Sequence, residues 1–136
     1  MRDSLKAGVS LSRTVTIDRE RTIGFMGEEG RVYATPELVR DIEYTSRDLI
    51  LQHVGPGKDS VGTEVAIRHL APTPMGMEVT ITVTVAEVDR ARVVLEVSAS
   101  DPVEQICKGR HERFVVDVGK THERLKAKLA KVPAAS

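Results

Sequence analysis

His69 and Glu43 are the two residues of this chain whose types and positions invite chemistry. His69 stands where a regular stretch, VGTEVAIRH, gives way to the stiff turn APTPMG, so its imidazole belongs to the edge of a site rather than the middle of a core. Glu43 lies in a helical stretch just beyond Val39 and Ile50, on the rim of the apolar face, where a plain solvent-facing charge is not expected. An imidazole and a carboxylate are the side chains most used to move protons. Together they point to a site that moves protons.

The elements that must position them can be read from periodicity. Val9, Leu11, Arg13, Val15 and Ile17 alternate with polar neighbours and predict a first strand. Residues 18–31, with three glycines and seven charges, predict a loop that covers a pocket or simply connects elements. Thr35-Pro36-Glu37 predicts a helix start, with Thr35 as N-cap, Pro36 at the first helical position and Glu37 facing the dipole. The helix is expected to run to about His53 and to stop at Gly55-Pro56-Gly57. On it, Leu38, Val39, Ile42, Thr45, Ser46, Leu49 and Ile50 share one face; Glu37, Arg40, Asp41, Tyr44, Arg47 and Asp48 share the other. Strands are expected at 61–71, 77–89, 92–100 and 104–118, then a short basic helix after Gly119. Strand, loop, one long helix and four strands with short connections make an α+β domain, with one antiparallel sheet carrying the helix on a face.

Bulk properties narrow the function. The 136 residues suit a single domain over 1–136. Twenty basic and twenty acidic side chains cancel, so no global field draws nucleic acid or an anionic membrane. No stretch reaches the ~18 apolar residues of a membrane span, and the first residues lack the apolar core of a signal peptide. The lone Cys107 forms no internal disulfide, suits a reducing cytoplasm, and reads as a small buried hydrophobe. The four histidines lack metal-ligand spacing, and His53 and His122 carry no specific signal. No metal and no cofactor are expected.

Three motifs carry a family resemblance: Gly62-Thr63, the His-x-x-x-Thr-Pro pattern at 69–74, and Gly109-Arg110-His111-Glu112-Arg113. Over about residues 30–120 the chain resembles the fluoroacetyl-CoA-thioesterase-like branch of the hot-dog acyl-CoA thioesterases. The resemblance implies a hot-dog fold, in which a five-stranded antiparallel sheet wraps one long central helix. It also implies a catalytic Thr, Glu and His. With the family's spacings of eight and 26 residues these fall on Thr35, Glu43 and His69 without a gap. The chain departs from the branch at MGEEGRVY, where an aromatic-rich lid is replaced by acidic residues and glycines, with Phe25 and Tyr33 the aromatics nearby. A short- or medium-chain acyl-CoA is therefore expected instead of a fluorinated one.

Hydrolysis of a thioester needs a nucleophile, a proton manager and donors for the developing oxyanion. The resemblance lets Glu43 attack the carbonyl or deprotonate a water, the choice being open. His69 would take a proton and later return it to the thiolate, Thr35 would orient the carboxylate or donate to the carbonyl, and backbone N–H groups near Gly62 or at the helix N-terminus would serve the oxyanion. Arg68, Arg90, Arg92, Lys108 and Arg110 are candidates for the phosphates of coenzyme A. Eight helical residues separate Thr35 and Glu43 by about 12 Å, so they share a site only through a bent helix start or a second subunit. A homodimer with a composite site is expected; pairing of dimers into tetramers is left open. Two other functions stay in play: a hot-dog acyl-CoA hydratase, whose close Asp–His pair is missing here, and a non-catalytic acyl-CoA-binding module. His111-Glu112-Arg113 is read as a structural or surface salt-bridge cluster on an edge strand.

Overall fold

The structure, a computed structural model, describes residues 3–134. The chain begins with strand β1 (Ser10–Thr16), whose half-buried and exposed residues alternate as the sequence predicts. The segment that follows is more structured than a loop. It holds two single-turn helices and a short two-stranded ladder of β2 (Thr22–Ile23) with β3 (Val32–Tyr33). Helix α1 (Thr35–Leu51) comes next, and β4 (Lys58–His69), β5 (Glu78–Asp89), β6 (Arg92–Ser100) and β7 (Gln105–Asp117) follow. Helix α2 (Val118–Leu129) starts under an N-cap from Asp117, whose carboxylate accepts from the Lys120 N–H.

All pairings of the five-stranded sheet are antiparallel, in the order β1-β5-β6-β7-β4. The connection through α1 therefore sends β4 to the far edge, where one side of a twelve-residue strand has no partner among the described residues. Leu38, Ile42, Leu49 and Ile50 of α1 are fully buried in one cluster with Val79, Ile81 and Val83 of β5, Val93 and Leu95 of β6, and Ile106 and Cys107 of β7. Each such aliphatic side chain contributes roughly 1.5–3 kcal/mol of burial, which fixes the helix across the sheet. Burial also pushes the Cys107 thiol up to about 11, so it behaves as a hydrophobe.

Two expectations for α1 need correction. Thr35 is not the N-cap: Ala34 holds that place without a side-chain cap, and Thr35 is the first helical residue. Its hydroxyl is engaged with His69 instead. Asp41, assigned to the polar face, is buried at 7% exposure. The reason is the segment before the helix, which folds over that flank. Arg21 donates from Nε and Nη2 to the Asp41 carboxylate at 2.9 and 3.1 Å, and the Tyr33 hydroxyl donates to it as well. This network ties β2 and β3 to α1. Asp41→Ala removes the shared acceptor of two donors, one of them the buried Tyr33 hydroxyl. We expect a loss of about 2–4 kcal/mol in urea unfolding, with Tyr33→Phe costing less. An unchanged midpoint for Asp41→Ala would show that the network does not anchor the segment.

Candidate active site

The structure brings Thr35 and His69 together. His69 is the last residue of β4, and its ring lies on the helix side of the sheet; the first turn of α1 passes beside it, and Thr35 Oγ1 lies 2.7 Å from His69 Nδ1. The Tyr33 ring meets the imidazole edge-on, with centroids 6.3 Å apart. The other ring nitrogen, His69 Nε2, is buried and has no hydrogen-bond partner among the described residues. A native fold rarely leaves such an atom unpaired, and this residue lines a cavity. Desolvation holds the His69 pKa below the usual imidazole value, so the ring is neutral at physiological pH and able to accept a proton.

The pair lines a cavity of about 410 Å³ whose other walls are mainly apolar: Ile23, Phe25, Val32, Leu70 and Ala71. Few polar groups in an apolar cavity of this size suit a small organic ligand. Phe25 stands at its mouth, 88% exposed. The acidic stretch behind it is pinned by Glu28, which accepts from Arg19 and Arg31 and is held at about 2 by those bonds.

Glu43 lies elsewhere. Thr35 and Glu43 belong to one continuous helix, so no bent start shortens the ~12 Å between them. Glu43 extends over Gly62 of β4, at a register shift between Gly62 and Glu64. A Cβ on Gly62 would overlap the Glu43 carboxylate and crowd His111 Cε1 at 3.2 Å and Arg113 Nη1 at 3.4 Å. Gly62 is thus the floor of a second polar cluster. In it His111 Nδ1 donates to the Glu64 carbonyl at 2.8 Å, and the Arg113 guanidinium donates to Ser60 Oγ and the Ser60 carbonyl, both at 2.8 Å. The sequence reading missed His111 and Arg113 as neighbours of Glu43. β7 is an interior strand, and of the three residues only Glu112 faces outward, bonded to Arg92 and Arg110.

Arg68 is not brought to the Thr35–His69 pair. Successive strand residues point to opposite faces, so Arg68 lies across the sheet from His69, beside its register partner Lys108. Both line an open hollow of about 710 Å³ on the outer face, with Arg110 and Glu96. Arg92 is committed to Glu112 and Glu87, and Arg90 occupies the β5–β6 turn with φ 57°. Among the described residues no group of three or more His, Cys, Asp or Glu side chains could hold a metal ion, and no helix is long and apolar enough to cross a membrane.

The two desolvated imidazoles make stability depend on pH. Desolvation lowers the pKa of both His69 and His111 below their unfolded value of 6.5. Just below that pH the unfolded chain binds more protons than the folded one, so stability falls with acidification from pH 6.5. The depressed carboxylates Asp59, Asp101, Glu112 and Asp117 add their loss only at lower pH. We expect the melting temperature to drop between pH 7 and pH 5, and His111→Gln to flatten part of that slope. An identical slope in the variant would remove His111 from this account.

Comparison with known proteins agrees with this architecture. The sequence profile of the fluoroacetyl-CoA-specific thioesterases matches residues 17–119. A fluoroacetyl-CoA thioesterase of Streptantibioticus cattleyicolor is 28% identical over 135 residues, covering 94% of this chain and 97% of that protein. A thioesterase superfamily member from Thermus thermophilus superposes with a TM-score of 0.85 at 28% identity, over 97% of this chain and 100% of that one. A fluoroacetyl-CoA-specific thioesterase variant in complex with fluoroacetate and CoA superposes at 0.79, also at 28% identity, over 86% and 99% of the two chains.

Proposed function

The chain belongs to the fluoroacetyl-CoA-specific thioesterase family and has its hot-dog fold, and from that premise we propose that it hydrolyses a short- or medium-chain acyl-CoA to the free acid and CoA. The observation that carries the reading is the Thr35–His69 contact, opening on an apolar cavity with one imidazole nitrogen unpaired. The acyl group occupies that cavity. Either a water oxygen bonds to the carbonyl carbon as it gives up its proton and the C–S bond breaks, or Glu43 bonds to that carbon, the C–S bond breaks to leave an acyl–Glu43 anhydride, and water then cleaves the anhydride to the acid and free Glu43. His69, neutral in the resting enzyme, takes the proton and delivers it to the departing thiolate. Thr35 holds the imidazole by its hydroxyl, and a backbone N–H at Gly62 stabilises the oxyanion. No cofactor is required, because the coenzyme is part of the substrate. The single thiol, Cys107, fits work in a reducing cytoplasm.

Glu43 joins the other two across a twofold axis. The free edge of β4 invites a second copy, since a long unpaired edge is a template for pairing. In an antiparallel β4–β4 ladder with the axis at Ala66 and Thr63 left over at the register shift between Gly62 and Glu64, His69 falls opposite Gly62 of the partner subunit, with Cα atoms about 4.5–5.5 Å apart. Both residues face the helix side, so each His69 meets the Glu43 that lies over the partner's Gly62. The enzyme is a homodimer in this reading, and pairing of dimers would use other surfaces. Arg68 and Lys108 remain candidates for the phosphates of CoA.

The test is thiol release from CoA esters graded from acetyl to palmitoyl, by wild type, Glu43→Ala and His69→Ala. We expect turnover of the shorter esters by wild type and a loss of about a hundredfold or more in each variant. Acyl-CoA binding by calorimetry without any hydrolysis would make the chain a binding module instead.

A further inference from the structure

The cluster beneath Glu43 contains a cation that the reaction above does not use. Arg113 is a guanidinium with a side-chain exposure of 5%, and His111 beside it is wholly buried. Burying a charge is costly, and a buried ion pair is a weak stabiliser compared with apolar packing, so its presence asks for another role. Desolvation lowers the Arg113 pKa, and the largest opposing influence is the Glu43 carboxylate. Asp59, the second acid in reach, is bound by Arg47 in a two-pronged pair at 2.9 and 2.8 Å.

The guanidinium is held from three sides. Nε and Nη2 donate to Ser60 Oγ and the Ser60 carbonyl, and Nη1 lies 3.3 Å from His111 Nε2. The His111 Nδ1 proton is given to the Glu64 carbonyl, which leaves Nε2 as an acceptor for Arg113. So held, Arg113 Nη1 stands 3.9 Å from Glu43 Oε1. That is too long for a hydrogen bond and close enough for strong attraction. The carboxylate is drawn over Gly62 while its lone pairs stay free for water or substrate.

We infer that Arg113, fixed by Ser60 and His111, is a positioning residue that holds the Glu43 carboxylate in its working place. This rests on the reading of Glu43 as a working group, and the test separates the two. The measurement is a double-mutant cycle on thiol release from the best CoA ester, using Arg113→Lys, Glu43→Gln and the double variant, with melting curves for each. Lys cannot reproduce the fork that grips Ser60. We expect Arg113→Lys to lower kcat tenfold or more with KM within twofold, and to cost nothing further in the Glu43→Gln background. Ser60→Ala, a milder change that leaves the Ser60 carbonyl in place, should lower kcat several-fold and covers the case in which Arg113→Lys fails to fold. Equal losses from Arg113→Lys in both backgrounds, a rise in KM at constant kcat, or wild-type kcat in a folded Ser60→Ala would overturn the inference alone. Full activity in Glu43→Gln would overturn the role of Glu43 and this inference with it.

Discussion

Mixing two inactive variants, Glu43→Gln and His69→Ala, should restore thiol release to about a quarter of the wild-type rate. The arithmetic follows from a composite site with two copies per dimer. Random exchange makes half of the dimers mixed, and each mixed dimer has one site with both groups intact and one with neither. If Glu43 and His69 served the same site from one chain, every site in the mixture would lack one of them, and no activity would return. The expectation stands on the continuity of α1, which keeps Thr35 and Glu43 of one chain about 12 Å apart, and on the unpaired edge of β4. Co-expression of the two variants under different tags, followed by tandem purification, isolates the mixed dimer, which should run at about half the wild-type rate. A flat zero from that species, or a monomer by light scattering at micromolar concentration, would sink the composite site.

The outline of the fold was legible because its two periods are clean. Leu38, Ile42, Leu49 and Ile50 recur at helical spacing, and Val79, Ile81, Val83 and Val85 alternate at strand spacing, so each element declared its buried face. Thr35 and His69 were legible as positions through the family spacing, although the strong capping signal at Thr35-Pro36 hid the hydroxyl's true engagement. What stayed hidden depends on long-range partners. Asp41 is buried only because Arg21, twenty residues upstream, and Tyr33 close over it. His111 and Arg113 sit on the inner face of β7, where alternation leads one to expect apolar residues, so they read as surface charges. Nothing local reports that β7 is interior or that β4 ends on the edge, since both follow from strand order.

Gly62→Ala should separate activity from stability. The added methyl group would overlap the Glu43 carboxylate and press on His111 and Arg113. The last two are buried and held by hydrogen bonds, whereas the Glu43 side chain is 41% exposed and free to swing outward. Glu43 is therefore the group that yields. Misplacing a reacting group by about 1 Å can cost on the order of a hundredfold in rate, so kcat should fall by about that factor. Stability should not fall with it. Gly62 has none of the positive φ values that favour glycine, and replacing such a glycine stabilises by about 0.4–1 kcal/mol through the unfolded chain. The expected pair of results is a melting temperature at or slightly above wild type and a rate near that of Glu43→Ala. Full turnover in a folded Gly62→Ala enzyme would mean that the carboxylate does not work from its place above Gly62. A low rate with a low melting temperature would mean instead that His111 and Arg113 gave way before Glu43 did.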